Sequence, residues 1–273
     1  MQIAIGKMRI NLAGGSGPMG KVHRPMFEAA EFEVIVSGRN PDPTNGVWSF
    51  EEGAENSDIT IVTVPIRATE EIIKRVGPYC TGALMDFTGI KGFPMRTMNS
   101  VARADTEFGG LHPMYGEVPS IKGENVIYCP SVRSRELCEK VIGAFRNAGA
   151  NITQMNSRQH DQLMHAVQNE RIRAMQMQVA KLRETRLNIG DLYQISPPPT
   201  RMLIDLVARQ IHPKNDNLYE DMLQFNPNSI AHKPGSYIRF AQATREFFGN
   251  EFLKRAQARA TELMKQHKQL CYP

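Results

Sequence analysis

Gly15-Ser16-Gly17-Pro18-Met19-Gly20 directly follows the run Arg9-Ile10-Asn11-Leu12-Ala13 and opens onto the amphipathic stretch 19–30. Strand, glycine loop and helix in that order are what a dinucleotide-binding βαβ unit requires. The first glycine permits a tight turn, the second lets backbone approach a pyrophosphate, and the third lets the helix pack closely on the strand. The N-terminus of such a helix offers unpaired N–H groups and the positive end of its dipole to phosphates. Gly15, Ser16, Gly17, Pro18, Met19 and Gly20 are therefore candidate cofactor-binding residues.

Outward from the loop, short apolar runs alternate with amphipathic stretches as far as about residue 155, the rhythm of a parallel sheet covered by helices. The pattern predicts strands over 9–13, 33–37, 59–64, 83–86, 108–111, 126–129 and 151–154. Helices are predicted over 19–30, 69–76 and 135–148, with Gly149 ending the last. After Ser157, a plausible N-cap, the period lengthens: Met164, Val167, Ile172, Met175, Val179 and Leu182 trace a helical stripe. Ser196-Pro-Pro-Pro199 breaks the helical pattern, and further helices are predicted over 200–211, 217–225 and 236–267. In the last of these Tyr237, Ala241, Thr244, Phe248 and Phe252 recur at helical spacing. The expected fold class is α/β, an N-terminal Rossmann-type doubly wound sheet over 1–154 followed by an all-α C-terminal domain over 155–273. The long helices of that domain are expected to build a homodimer, and the active site is expected in the cleft between the domains.

The bulk numbers agree with a folded enzyme. In 273 residues, 41% are hydrophobic and 22% charged, a balance that buries a core. No apolar run reaches the ~18 residues a membrane span needs, and MQIAIGKMRI lacks a signal-peptide pattern, so a cytoplasmic protein without a membrane partner is expected. Cys80, Cys129, Cys138 and Cys271 are scattered without a CxxC pair or a nearby histidine set, which argues for reduced thiols and against a metal site. The net charge of +5 is spread along the chain and aromatics are 7%, which speaks against nucleic acid and suits a polyanionic cofactor with a small anionic substrate.

At the end of the second predicted strand an NAD enzyme usually places a carboxylate for the ribose 2′-hydroxyl. This chain has Val36-Ser37-Gly38-Arg39. With no carboxylate to repel a 2′-phosphate and a hydroxyl and a guanidinium to bind one, Ser37, Gly38 and Arg39 point to NADP, with NAD the alternative.

Three further stretches carry a family resemblance. Gly110-Leu111-His112-Pro113-Met114-Tyr115-Gly116, His160-Asp161-Gln162 with Val167-Gln168 downstream, and Thr63-Val64-Pro65 after a strand together resemble the prephenate and arogenate dehydrogenases of tyrosine biosynthesis. The resemblance implies an oxidative decarboxylation: a hydride leaves ring carbon 4 for the nicotinamide, the 4-hydroxyl proton passes to a histidine, and the ring carboxylate departs as CO2. By motif His112 is the implied base, a role suited to a neutral imidazole. The resemblance also implies Val64 and Pro65 on the cofactor, and Lys91, Gln168 and Arg209 on the substrate. For Arg209 the implied task is the substrate carboxylate, which a guanidinium can grip bidentately.

The chain departs from the family at four places. The family's Asp-x-x-Ser-Val-Lys reads Asp86-Phe87-Thr88-Gly89-Ile90-Lys91, so Gly89 replaces a serine and Thr88 is the expected substitute. Ile172 stands where a histidine is common, Glu117 where a proline is usual, and about one helix is missing between Asn226 and Ser236. A carboxylate gained near the ring's 4-substituent suggests 4-amino-4-deoxyprephenate as an alternative substrate, with Glu117 facing its ammonium. A catalytically silent NADP-binding sensor is the competing class, as is a different reductase of the same two-domain build.

Overall fold

The computed structural model describes residues 7–229 and 232–271, so the opening residues read above lie outside it, as does the side chain of Cys271. Two compact units divide the chain, Met1–Leu163 and Met164–Pro273.

The first unit is built on eight strands: β1 (Arg9–Ala13), β2 (Glu33–Ser37), β3 (Val47–Trp48), β4 (Ile59–Val62), β5 (Ala83–Asp86), β6 (Glu107–Pro113), β7 (Asn125–Pro130) and β8 (Asn151–Gln154). They form one sheet in the order β3-β2-β1-β4-β5-β6-β7-β8, parallel throughout except between β6 and β7. Because β2 and β4 flank β1 on opposite sides, the strand order reverses at β1, and its carboxyl end is where an open α/β sheet binds ligands. Helices α1 (Pro18–Ala29), α2 (Phe50–Glu55), α3 (Ile66–Val76), α4 (Gly92–Val101) and α5 (Glu136–Asn147) cover the sheet. α6 (Ser157–Met164) follows β8.

Period-two alternation sends Ile10, Leu12, Ile59, Ile61, Met85 and Leu111 to one core with Phe27 and Phe145 of α1 and α5. Ala13, Val62, Leu84 and Phe108 go to the other, with Ile73 of α3 and Met98 of α4. Every residue of β4, β5 and β6 is buried, as strands covered on both faces must be.

The second unit is helical: α7 (Glu170–Glu184), α8 (Ile189–Ile195), α9 (Pro198–Gln210), α10 (Asp216–Phe225), α11 (Ser236–Phe248) and α12 (Asn250–Cys271). Ile172, Val179, Ile204, Ala208, Tyr237, Ala241, Phe248 and Ala256 form its core. No described helix is long and apolar enough to cross a membrane.

Several expectations are corrected. The cap of α6 is Asn156, whose Oδ1 accepts from Gln159 N at 2.9 Å, and not Ser157, which is the first helical residue. A π-helical turn, His165–Asn169, interrupts the stripe. It turns Val167 off the face of Met164 and Ile172, and Val167 is 51% exposed. The single helix expected over 236–267 is two, because Gly249 adopts φ +70°, a left-handed conformation that stops α11. Gly149, at φ +84°, does end α5 as read.

Candidate active site

The glycine loop joins the carboxyl end of β1 to α1. A Cβ on Gly20 would lie 2.1 Å from Gly15 O, and one on Gly15 would lie 2.8 Å from Leu12 O, so the loop closes only without side chains at both positions. Gly14 is a third requirement that the motif reading left out: its φ is +91° and a Cβ there would meet Val64 Cγ1 at 2.7 Å. Gly17 precedes the first helical residue, Pro18, which has no N–H. Lys21 N donates to Gly17 O, while Met19 N and Gly20 N find no acceptor among the described residues. With no acidic residue in that first turn, Ser16 to Gly20 form a cradle of the kind a pyrophosphate needs.

Beside the loop, Thr63 N and Oγ1 both donate to Ala13 O, which brings Val64 against Gly14 and places Pro65 at the head of α3. Ser37 is a correction: it is wholly buried against α2, where a Cβ on Gly53 would sit 2.8 Å from its own Cβ, so it offers no exposed hydroxyl to a 2′-phosphate. Gly38 N is bonded to Trp48 O. Arg39 is exposed and has no ion pair among the described residues.

His112, in the last turn-ward residues of β6, is nearly buried and its Nδ1 lies 2.9 Å from His160 Nε2. His160 Nδ1 lies 2.8 Å from Asp161 Oδ1. Asp161 also accepts from the backbone amides of Lys91 and Gly92, each at 2.8 Å. A carboxylate can only accept, so the proton of His160 sits on Nδ1 and its Nε2 carries the lone pair. His112 must then donate from Nδ1, which leaves the lone pair on its Nε2. Burial first, then His160 and the Lys91 charge, hold the His112 pKa well below its ordinary value. Burial and Lys91 also lower that of His160, against the pull of Asp161. Both rings are therefore neutral at pH 7.

Thr88 does not take the place of the missing serine. Thr69 Oγ1 donates to Pro65 O, so the Thr88 hydroxyl spends its own proton on Thr69 Oγ1 at 3.2 Å, facing α3. Gly89 faces His112 instead: a Cβ there would lie 3.3 Å from His112 Nε2. Lys91, expected as a substrate ligand, is also corrected. Its side chain is 0% exposed and its Nζ is 2.5 Å from Asp86 Oδ2, a fully buried ion pair. It packs so closely that a Cβ on Gly110 would lie 2.6 Å from Lys91 Cδ. Glu117 is exposed and without an ion pair among the described residues.

The remaining two candidates belong to the second unit. Gln168 is half-buried in the π-helical turn. Arg209 lies in the last turn of α9, exposed, with no ion pair for its guanidinium among the described residues. Arg171, on which no role was placed, bonds Gln210 Oε1 at 3.0 Å.

Residues 44–154 match the family described as prephenate dehydrogenase, nucleotide-binding domain. A probable arogenate/prephenate dehydrogenase of Methanocaldococcus jannaschii is 31% identical over 234 residues, covering 81% of this chain and 52% of that protein. The T-protein of Haemophilus influenzae is 27% identical over 227 residues, covering 82% and 58%. The chain thus spans little more than half the length of these relatives. Among solved structures, the prephenate dehydrogenase of Aquifex aeolicus in complex with hydroxyphenyl propionate and NAD+ shares the fold at a TM-score of 0.55 and 16% identity, covering 97% of this chain and 98% of that one.

Proposed function

The chain belongs to the prephenate/arogenate dehydrogenase family, and on that premise we propose that it oxidatively decarboxylates a prephenate-type cyclohexadiene with NADP as hydride acceptor. The observation that carries the reading is the His112–His160–Asp161 chain, which leaves a lone pair on a neutral, nearly buried nitrogen at the carboxyl end of the sheet. His112 Nε2 takes the proton of the 4-hydroxyl as hydride leaves carbon 4 and the ring carboxylate departs as CO2. When bound, the nicotinamide supplies only the hydride acceptor. As the proton arrives, His112 Nδ1–H stays on His160 Nε2, so the new imidazolium keeps a partner inside a dry site. The glycine cradle holds the pyrophosphate and Arg39 the 2′-phosphate. Arg209, whose guanidinium has no ion pair among the described residues, is assigned the substrate carboxylate, and Gln168 a further polar contact to it. Exposed apolar side chains of the second unit, Met177, Ile195 and Met202 among them, support a homodimer through the C-terminal helices.

Gly89 favours a second reading of the substrate. With no side chain at 89, no serine hydroxyl stands beside His112 Nε2 to select a 4-hydroxyl over a 4-amino group. Turnover at 340 nm with prephenate, arogenate and 4-amino-4-deoxyprephenate, each with NAD and NADP, tests both readings. Reaction with one of the three supports the family chemistry and identifies the ring substituent. Binding of NADP without turnover of any would leave the catalytically silent sensor instead.

A further inference from the structure

His23, on α1, is fully buried yet takes no part in the His112 chain. Its Nδ1 lies 2.7 Å from Met19 O and its Nε2 lies 2.9 Å from the Tyr115 hydroxyl. A carbonyl can only accept, so the ring proton is on Nδ1 and Tyr115 donates to Nε2. The ring also meets Phe87 edge-on at a centroid distance of 4.8 Å and Phe145 at 5.3 Å.

Three segments of the site converge on this one imidazole. Met19 belongs to the glycine cradle and the first turn of α1. Phe87 opens the loop that carries Gly89 to His112. Tyr115 stands three residues beyond His112 in the stretch that leaves β6. A pair of phenylalanines would fill the same space without desolvating an imidazole, a burial that drives the His23 pKa down to about 4. What the polar pair supplies in exchange is direction: two hydrogen bonds in series fix the distance between the cradle's backbone and the loop after the base.

We propose that His23 and Tyr115 are positioning residues that hold the loop after His112 in register with the first turn of α1, so that a ligand in the glycine cradle is felt at that loop. The proposal rests on the dinucleotide reading of the cradle.

Hydrogen exchange read by mass spectrometry, with and without NADP, tests it on the intact chain. In the wild type NADP is expected to slow exchange both in residues 9–24 and in residues 111–118. In Tyr115→Phe the first protection should persist and the second be lost. His23→Phe should give the same loss from the other side, whereas His23→Gln, which keeps a donor and an acceptor, should restore it. A purely structural role would lower the melting temperature of Tyr115→Phe and leave protection of 111–118 as in the wild type, and that result overturns the proposal. Absence of protection over 9–24 in the wild type would overturn the cofactor reading beneath it.

Discussion

His112 Nδ1 and His160 Nε2 stand 2.9 Å apart in a buried chain that ends on Asp161, and this contact leaves the lone pair of His112 on Nε2. Asp161 is itself held by two backbone amides, so the direction of every proton in the chain follows from an acceptor that cannot donate. His160→Phe keeps the bulk and removes the acceptor. Turnover is expected to fall by roughly 10–100-fold, the scale on which partners that orient an imidazole act, with a smaller change in KM. His160→Gln, which can still accept from His112, should lose less; equal losses in the two variants, measured by steady-state kinetics, would count against the orienting role.

The Asp86–Lys91 pair makes a stability prediction with a sign that depends on how it is broken. Lys91→Met leaves a fully buried carboxylate without its counter-charge, held only by the Thr88 amide at 2.8 Å, and is expected to cost about 3–5 kcal/mol. Asp86→Asn combined with Lys91→Met removes both charges and should recover most of that loss. Urea denaturation of the two variants compares them directly. The single variant should also raise the acid limb of kcat/KM, because the Lys91 charge helps to keep His112 unprotonated.

Acid sensitivity follows from three histidines. His23, His112 and His160 stay neutral in the fold below their ordinary pKa, while in the unfolded chain each takes a proton near pH 6.5. The unfolded state then binds more protons, so stability is complete above that pH and falls as pH drops. Each such histidine contributes about 1.4 kcal/mol per pH unit, and for His23 the loss continues to about pH 4. Thermal melts at pH 7.5 and 5.0 should show a marked drop in melting temperature; a flat profile would contradict the burial of neutral imidazoles.

Arg39 is exposed and is the group proposed for the 2′-phosphate, whereas Ser37 is buried beneath α2. Arg39→Ala is expected to raise KM for NADP roughly tenfold or more, the worth of a charge-assisted hydrogen bond, and to change KM for NAD far less. Equal effects on both cofactors would remove Arg39 from that role.

Where structure is dictated locally, it was legible in the sequence. The glycine loop, the buried parallel strands and Gly149 each follow from backbone conformation or from side-chain period. Side-chain direction at the ends of strands was not legible: Thr88 and Gly89 differ by one residue, and the backbone turns the glycine toward His112 and the threonine toward α3. Ser37 is buried by packing against Gly53 of α2, a tertiary contact without a local signature. The partnership of His112 with His160 spans 48 residues and has no local signature beyond the adjacent His160-Asp161 dipeptide. Lys91 reads as a ligand in any motif, and only the fold reveals Asp86 already occupying its charge. Gly249 was visible, but the apolar period continues across it, and period alone does not record a left-handed residue.

Replacing His112 by asparagine while following both cofactor binding and turnover tests the central assignment most directly. NADP affinity is expected to stay unchanged while turnover of whichever substrate the wild type oxidises falls by about two to four orders of magnitude, the contribution expected of a general base. An asparagine variant that turns over near the wild-type rate would show that the lone pair on His112 Nε2 is not the base.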